Sequence, residues 1–176
     1  SQLVTQLDMK LMDVRWIKTN TRSRFDAIES GDADLECSAT SNTLDRQRNF
    51  AFSLTSFVQG ATFAVRNDAN LEKLDHLADK KLAVVRNTTT SKLMKQAIAS
   101  GQMQATLIEA KSFEAAGNML ANKEVDAIAG DRLVMFDQLI RSKLGTRFRM
   151  LPQDFAPEYY AIMMSKADPD LRWAVN

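Results

Sequence analysis

Residues 82–101 read LAVVRNTTTSKLMKQAIASG, and the rest of the chain can be read outward from them. Leu82 to Val85 is an apolar run of strand length. The polar segment Asn87–Ser91 follows it, rich in hydroxyls that can accept hydrogen bonds from the free N–H groups at a helix start. Leu93, Met94, Ala97 and Ile98 then recur at helical spacing until Gly101, a stop signal.

The same unit repeats downstream. Thr106–Glu109 reads as a strand, and Ser112 caps a helix with Phe113, Ala116, Met119 and Leu120 on one face. Val125–Ala129 is a further strand, Asp131 opens the helix DRLVMFDQLIRSK, which stops near Gly145, and Phe148–Leu151 is a last extended piece. Upstream, Ala61–Val65 is an apolar strand, and Leu71, Leu74 and Leu77 share one side of a helical turn or two. This alternation predicts right-handed βαβ units and a mostly parallel sheet, an α/β fold. Ligands of such sheets sit at the carboxyl ends of the strands. Three strand ends here are polar: Asn87–Ser91, Lys111–Ser112 and Gly130–Asp131. Two of these ends also start helices, whose N-termini favour a negatively charged ligand group.

The first third of the chain is less regular. Leu11–Ile17 alternates well enough to predict a strand, with Leu11, Val14 and Trp16 or Ile17 inward. Thr21–Ser30 reads as a short helix capped by Thr21 and ended by Gly31, with Phe25 and Ile28 on a shared face. Ala33–Cys37 is a strand, and Phe50–Val58 extends again. Between them lies a loop carrying Ser38, Thr40, Ser41, Asn42 and Thr43, followed by Arg46. Small hydroxyls donate without bulk, and a guanidinium pairs a carboxylate through two parallel bonds, so the loop suits a small anion. The ordinary alternative is a turn rich in loop formers.

Composition narrows the function classes. The chain has 176 residues, 45% hydrophobic and 26% charged, enough for one domain or two small ones. With 23 basic against 22 acidic residues, it has no net field to draw nucleic acid or an anionic membrane. No apolar run approaches the ~18 residues that span a bilayer. No charged-then-apolar leader opens it, so any export signal has been removed or was never there. Cys37 stands alone and is expected to be a small buried packing residue. With His76 as the single histidine, no zinc cluster of ordinary spacing can form. Gly-rich phosphate loops, GxSxG and HExxH are absent from the sequence, and no cofactor is expected. The nine methionines are scattered, as in core filling.

The run GDADLECSATSNTLDRQRNFAFS, with VVRNTTTS, AKSF and VDAIAGDR after it, resembles the polar amino-acid-binding proteins of ABC transporters. The order and spacing are similar over essentially the whole chain, with most likeness to the glutamate/aspartate-binding branch of solute-binding protein family 3. The resemblance implies a periplasmic-binding-protein type II fold, two α/β lobes joined by two hinge crossovers and closing on the ligand. Laid on this chain, lobe 1 takes residues 1–60 and 151–176, and lobe 2 takes 61–150. It also implies a chain truncated at both ends.

Residue by residue, the resemblance implies that Arg46 grips the ligand α-carboxylate, with Ser41 and Ser38 beside it. Thr90, with Thr89, holds the same group from the other lobe, and Asp131 receives the α-ammonium. A buried zwitterion needs such partners. Each position also has a plainer reading: Arg46 as a surface turn residue, Thr90 and Asp131 as helix caps. Three departures concern the ligand side chain. Ala39 replaces a usual serine, Phe113 falls where the acidic-ligand branch places a histidine, and Thr62 where it places an arginine. A second carboxylate is then poorly compensated unless Lys111 or another residue supplies the charge.

The implied protein is a monomeric periplasmic carrier, not an enzyme, that passes an amino acid to an ABC permease. Two alternatives share the fold: a ligand-sensing module of a receptor or regulator, and a cleft dehydratase. The second needs an acid–base pair, and neither His76 nor Glu109 has an evident partner.

Overall fold

The computed structural model describes residues 13–140 and 145–176. The chain divides into two compact units, Ser1–Val58 with Tyr159–Asn176, and Gln59–Glu158.

In the first unit, helix α1 (Ser23–Ser30) packs with a three-stranded antiparallel sheet. Strand β1 (Leu35–Glu36) and strand β2 (Phe50–Phe52) flank the late strand β9 (Met163–Ser165), with Leu35 opposite Met164 and Ala51 also opposite Met164. Ile28, Phe50, Phe52, Ala161 and Met163 form its core, with Phe25 against them. Gly31 ends α1 at φ 79°, a left-handed conformation that glycine adopts without a Cβ clash.

Three local expectations fail here. Residues 13–17 form no strand and are exposed, Trp16 by 85%, while Leu11 lies outside the described residues. Alternation is only permission for a strand; these residues have no ladder partner among the described residues. The cap of α1 is not Thr21. Asn20 Oδ1 accepts from the Arg22 and Ser23 N–H groups, at 2.9 and 3.0 Å, and Ser23 Oγ accepts from Asn20 N. The extended run 50–58 is broken after Phe52, where the Ser53 hydroxyl donates to Leu54 O and accepts from Ile162 N, while Ser53 N–H donates to Ile162 O.

The second unit is a six-stranded mixed sheet in the order β5-β4-β6-β3-β7, with β8 paired to β3. The strands are β3 (Phe57–Arg66), β4 (Lys80–Val85), β5 (Ala105–Ala110), β6 (Ala127–Asp131), β7 (Phe148–Met150) and β8 (Ala156–Tyr160). Strands β5, β4 and β6 are parallel, as the βαβ pattern requires. Strand β3 corrects the expectation of a mostly parallel sheet: it runs antiparallel to both β6 and β7. Apolar periodicity reports which residues are buried and is blind to strand direction.

Period-two alternation sorts the core into two layers. Phe63 and Val65 of β3, Leu82 and Val84 of β4, and Ala127 and Ala129 of β6 face one cluster, with Met94 of helix α2 (Thr89–Ala99). Their neighbours Ala64, Ala83 and Ile128 face the other, with Ala116 and Leu120 of helix α3 (Phe113–Ala121). The helix expected from Asp131 is α-helical only over α4 (Arg132–Met135) and continues as a π-turn, Phe136–Ile140. The last helix, α5 (Pro169–Val175), is capped by Asp168, which accepts from Leu171 N, and carries Pro169 at its first position.

Candidate functional site

In the first unit the hydroxyl-rich loop grows out of β1. Its foundation is Glu36, a carboxylate only 7% exposed. One carboxylate oxygen accepts from the Ser38 hydroxyl and the other from Thr40. Arg24, on α1 and 8% exposed, approaches the same groups: Nη1 donates to Thr40 Oγ1 at 2.8 Å and to Ala39 O at 3.1 Å, with Ser38 Oγ at 3.5 Å. Thr40, fully buried, thus accepts from a cation and donates to an anion. Neither charge is buried without compensation.

The backbone continues this order outward. Ala161 N donates to Thr40 O, Asn42 N to Tyr159 O, and Ser41 bridges to Tyr160. A 3-10 turn, Arg46–Arg48, then presents Arg46, whose Nη1 donates to Ser41 O at 2.7 Å. Its guanidinium lies 5.0 Å from the centre of the Phe25 ring, and that of Arg24 lies 5.1 Å from the same ring. Of the loop positions singled out in the sequence, Ser41 is buried, Arg46 half-buried and Ser38 exposed with its proton given to Glu36.

Cys37 departs from expectation: it is exposed, not a core residue. It follows the buried Glu36 on a two-residue strand, so alternation turns it outward. Partial desolvation, and secondarily the Glu36 carboxylate, push its thiol above the ordinary range.

In the second unit the parallel strands β5, β4 and β6 bring their carboxyl ends to one sheet edge. After β4, Thr88 caps α2, its Oγ1 accepting from Ser91 N at 3.1 Å. Thr90, 2% exposed, donates to Asp131 Oδ1 at 3.4 Å across the end of β6. Thr89 donates to Glu158 Oε1 at 2.8 Å, and Glu158 is itself buried. Asp131 occupies the N-cap position of α4 without a side-chain capping bond. The first turn of α4 is tied elsewhere: Leu133 N donates to Gln59 Oε1 at 2.8 Å, and Arg132 Nε to Asp154 Oδ1 at 3.0 Å.

Phe113 is half-buried against the second core layer, its ring seated on Gly130; a Cβ there would lie 2.7 Å from Cε1. Thr62, opposite Gly130 in the ladder and fully buried, donates to Gln153 O at 2.7 Å and lies 3.1 Å from Leu151 O. Lys111 is exposed after β5. Thr89, Thr90, Asp131, Phe113 and Thr62 are therefore gathered by the ends of β4 and β6, whereas Lys111 projects from the edge strand. Sequence reading overlooked Arg24, Glu36 and Glu158, and placed Thr40 in the loop without a role of its own. The available signal was a charge inside an apolar stretch, as in ADLEC and APEYYAIM. No group of three or more His, Cys, Asp or Glu side chains that could hold a metal occurs among the described residues.

Residues 3–176 match the sequence profile of the bacterial extracellular solute-binding proteins, family 3. The chain belongs to this family. It is 25% identical over 173 residues to an L-glutamate/L-aspartate-binding protein of Pseudomonas aeruginosa, covering 97% of this chain and 57% of the relative. A glutamate/aspartate import solute-binding protein of Escherichia coli is 24% identical over 161 residues, 92% of this chain and 53% of the relative. The chain thus spans about half the length of these two family members. Among solved structures, an amino acid ABC transporter substrate-binding protein of Streptococcus pneumoniae, bound to L-arginine, superposes with a TM-score of 0.83 at 20% identity, over 98% of this chain and 70% of that one. The family fold, mixed α/β of the periplasmic-binding-protein type II, is therefore the fold of this chain. The relatives named above are amino-acid-binding proteins. No helix among the described residues is long and apolar enough to cross a membrane.

Proposed function

We propose that this chain captures a polar amino acid outside the cytoplasm and delivers it to an ABC-transporter permease. In this reading the Arg46 guanidinium takes the α-carboxylate, with Ser41 and Ser38 shaping the loop beside it. In the second unit Thr89 and Thr90, whose hydroxyls donate to Glu158 and Asp131, order the start of α2, where an anionic group is favoured. Asp131 takes the α-ammonium. The observation that carries the reading is the loop itself: a guanidinium held by a backbone carbonyl and an aromatic face, at the end of a segment anchored by buried charges. A side chain already ordered loses little entropy when a ligand arrives. An affinity near 1 μM needs about −8 kcal/mol, within reach of two charge-assisted contacts and some apolar burial.

The ligand side chain is read from Thr62, Phe113 and Lys111. Thr62 has its proton committed to backbone carbonyls and Phe113 is a packing residue, so neither offers a cation. Glutamate or aspartate would then depend on Lys111 for its second carboxylate. A neutral polar or cationic amino acid makes no such demand.

The deciding experiment is a thermal-shift screen of the twenty amino acids, since a ligand that binds only the folded state must raise the midpoint. Isothermal titration of Arg46→Ala with the best ligand should then show affinity lost by about 100-fold or more, with the ligand-free midpoint nearly unchanged, because a charge-assisted bidentate contact contributes about 3 kcal/mol. Undiminished binding by that variant would remove Arg46 from the site.

A further inference from the structure

We propose that Arg24 and Glu36 are positioning residues that, through the Thr40 hydroxyl, set where the Arg46 guanidinium stands. This rests on the reading of Arg46 as the carboxylate-binding group. The buried hydroxyl of Thr40 sits between a cation and an anion, accepting from Arg24 Nη1 and donating to Glu36 Oε2. Since it accepts from one and donates to the other, the direction of its proton is fixed. Ser38 is held the same way by Glu36. Two side chains of the loop, at positions 38 and 40, and the carbonyl between them are therefore fastened to α1 and β1, leaving Ser41 as the first residue beyond the anchor.

That residue supplies the carbonyl to which Arg46 donates. The Ser41 carbonyl is steadied on one side by this anchor and on the other by the Ser41–Tyr160 bridge and the Asn42 N–H to Tyr159 O bond, so losing the Thr40 contacts shifts the carbonyl and the guanidinium bonded to it. Helix α1 acts twice, because Phe25, next to Arg24, offers the ring against which Arg46 rests. A guanidinium must meet a carboxylate within a few tenths of an ångström to keep two parallel bonds, so a small displacement costs affinity without costing the fold. The loop reads the part every amino acid shares. Its disturbance should weaken all ligands by one factor and leave their ranking alone.

The test uses the whole chain as Thr40→Val, which keeps the shape and removes the hydroxyl, Thr40→Ser, which restores it, and Glu36→Gln. The first readout needs no ligand: the Nε–H resonance of Arg46 by NMR. It should move in Thr40→Val and Glu36→Gln and stand at its native position in Thr40→Ser. The second is the Kd for each amino acid that shifts the midpoint of the native chain. It should rise about tenfold in the first two variants, by a common factor across ligands, as expected for one lost hydrogen bond to a charged group. An Arg46 resonance and affinities unchanged in both Thr40→Val and Glu36→Gln would overturn the proposal, as would full loss in Thr40→Ser. If Thr40→Val does not fold, Glu36→Gln decides by the same two readouts. If the native chain binds none of the twenty amino acids, the functional reading fails, and the resonance still decides the positioning.

Discussion

The loop 38–46 of the first unit and the turn 86–91 of the second are both candidate sites for a carboxylate, and they differ in what offers the positive charge: a side-chain cation in the first, a helix start in the second. The first is held by side chains brought from elsewhere: Arg24 lies 16 residues from Thr40, and the network has two buried charges at its base. The second is set by a local cap and the helix it begins. Thr88 caps α2 three residues on, its neighbours Thr89 and Thr90 donate to Glu158 and Asp131, and the helix start favours an anion through its dipole. A loop that offers a side-chain cation must anchor that cation, whereas a helix start is ordered by the helix it begins.

The comparison predicts unequal fragility. Arg24→Met should have the largest effect, lowering stability by about 3 kcal/mol, because it leaves Glu36 buried beside hydroxyls with no compensating cation. Urea denaturation followed separately by Trp fluorescence and by hydrogen exchange of the β4 and β6 amides would show whether the loss stays within the first unit. A loss of less than about 0.5 kcal/mol would mean that the buried charges do not carry the loop.

Gly60→Ala attacks the second unit from its packing. A Cβ there would lie 2.1 Å from Asp154 Cγ, forcing that side chain off Arg132. The expected cost is about 1–2 kcal/mol, combining a local overpacking with a partly exposed ion pair. A crystal structure retaining the Arg132–Asp154 contact at unchanged stability would refute it.

Thr88→Ala removes the cap of α2 and should cost about 1 kcal/mol, a third of the Arg24 effect, since the Ser91 N–H and the Val85 carbonyl each lose one neutral partner and no charge is left uncompensated. Equal losses at Thr88 and Arg24 would erase the distinction between the two regions.

The smallest effect concerns pH. The Glu109 carboxyl is held below its ordinary range, first by its hydrogen bond with Lys95, then by that from Ser91. A lowered folded-state value means that the contribution is complete above the unfolded carboxylate range and disappears as pH falls through the folded value. Lys95→Gln should therefore reduce the midpoint slightly at neutral pH and converge with the native chain in acid, measured by thermal melts across that range.

How far the sequence carried depended on how local each interaction is. The β4-turn-α2 unit was legible down to its end at Gly101, because strand alternation, a hydroxyl cap and a glycine stop act within a few residues. So was Ser112 as the cap of α3, where it accepts from Ala115 N. The cap of α1 was misread because two hydroxyls and an amide stand within four residues, and local pattern does not say which of them folds back. Alternation through Val14 and Trp16 promised a strand that the described structure does not contain, since a strand needs a partner as well as a pattern.

What the sequence determined by itself was the α/β class, the order of the strands from β3 to β7 with the helices α2 and α3 between them, and Arg46, Thr90 and Asp131 as candidates, but not the strand β8 that completes the second sheet. Tertiary structure decided the direction of β3, the outward turn of Cys37, and the burial of Arg24, Glu36 and Glu158. The physical reason is range. Backbone geometry answers to neighbours a turn away, but a charge can be buried only when its partner arrives from elsewhere, as Thr89 and Glu158 meet across 69 residues.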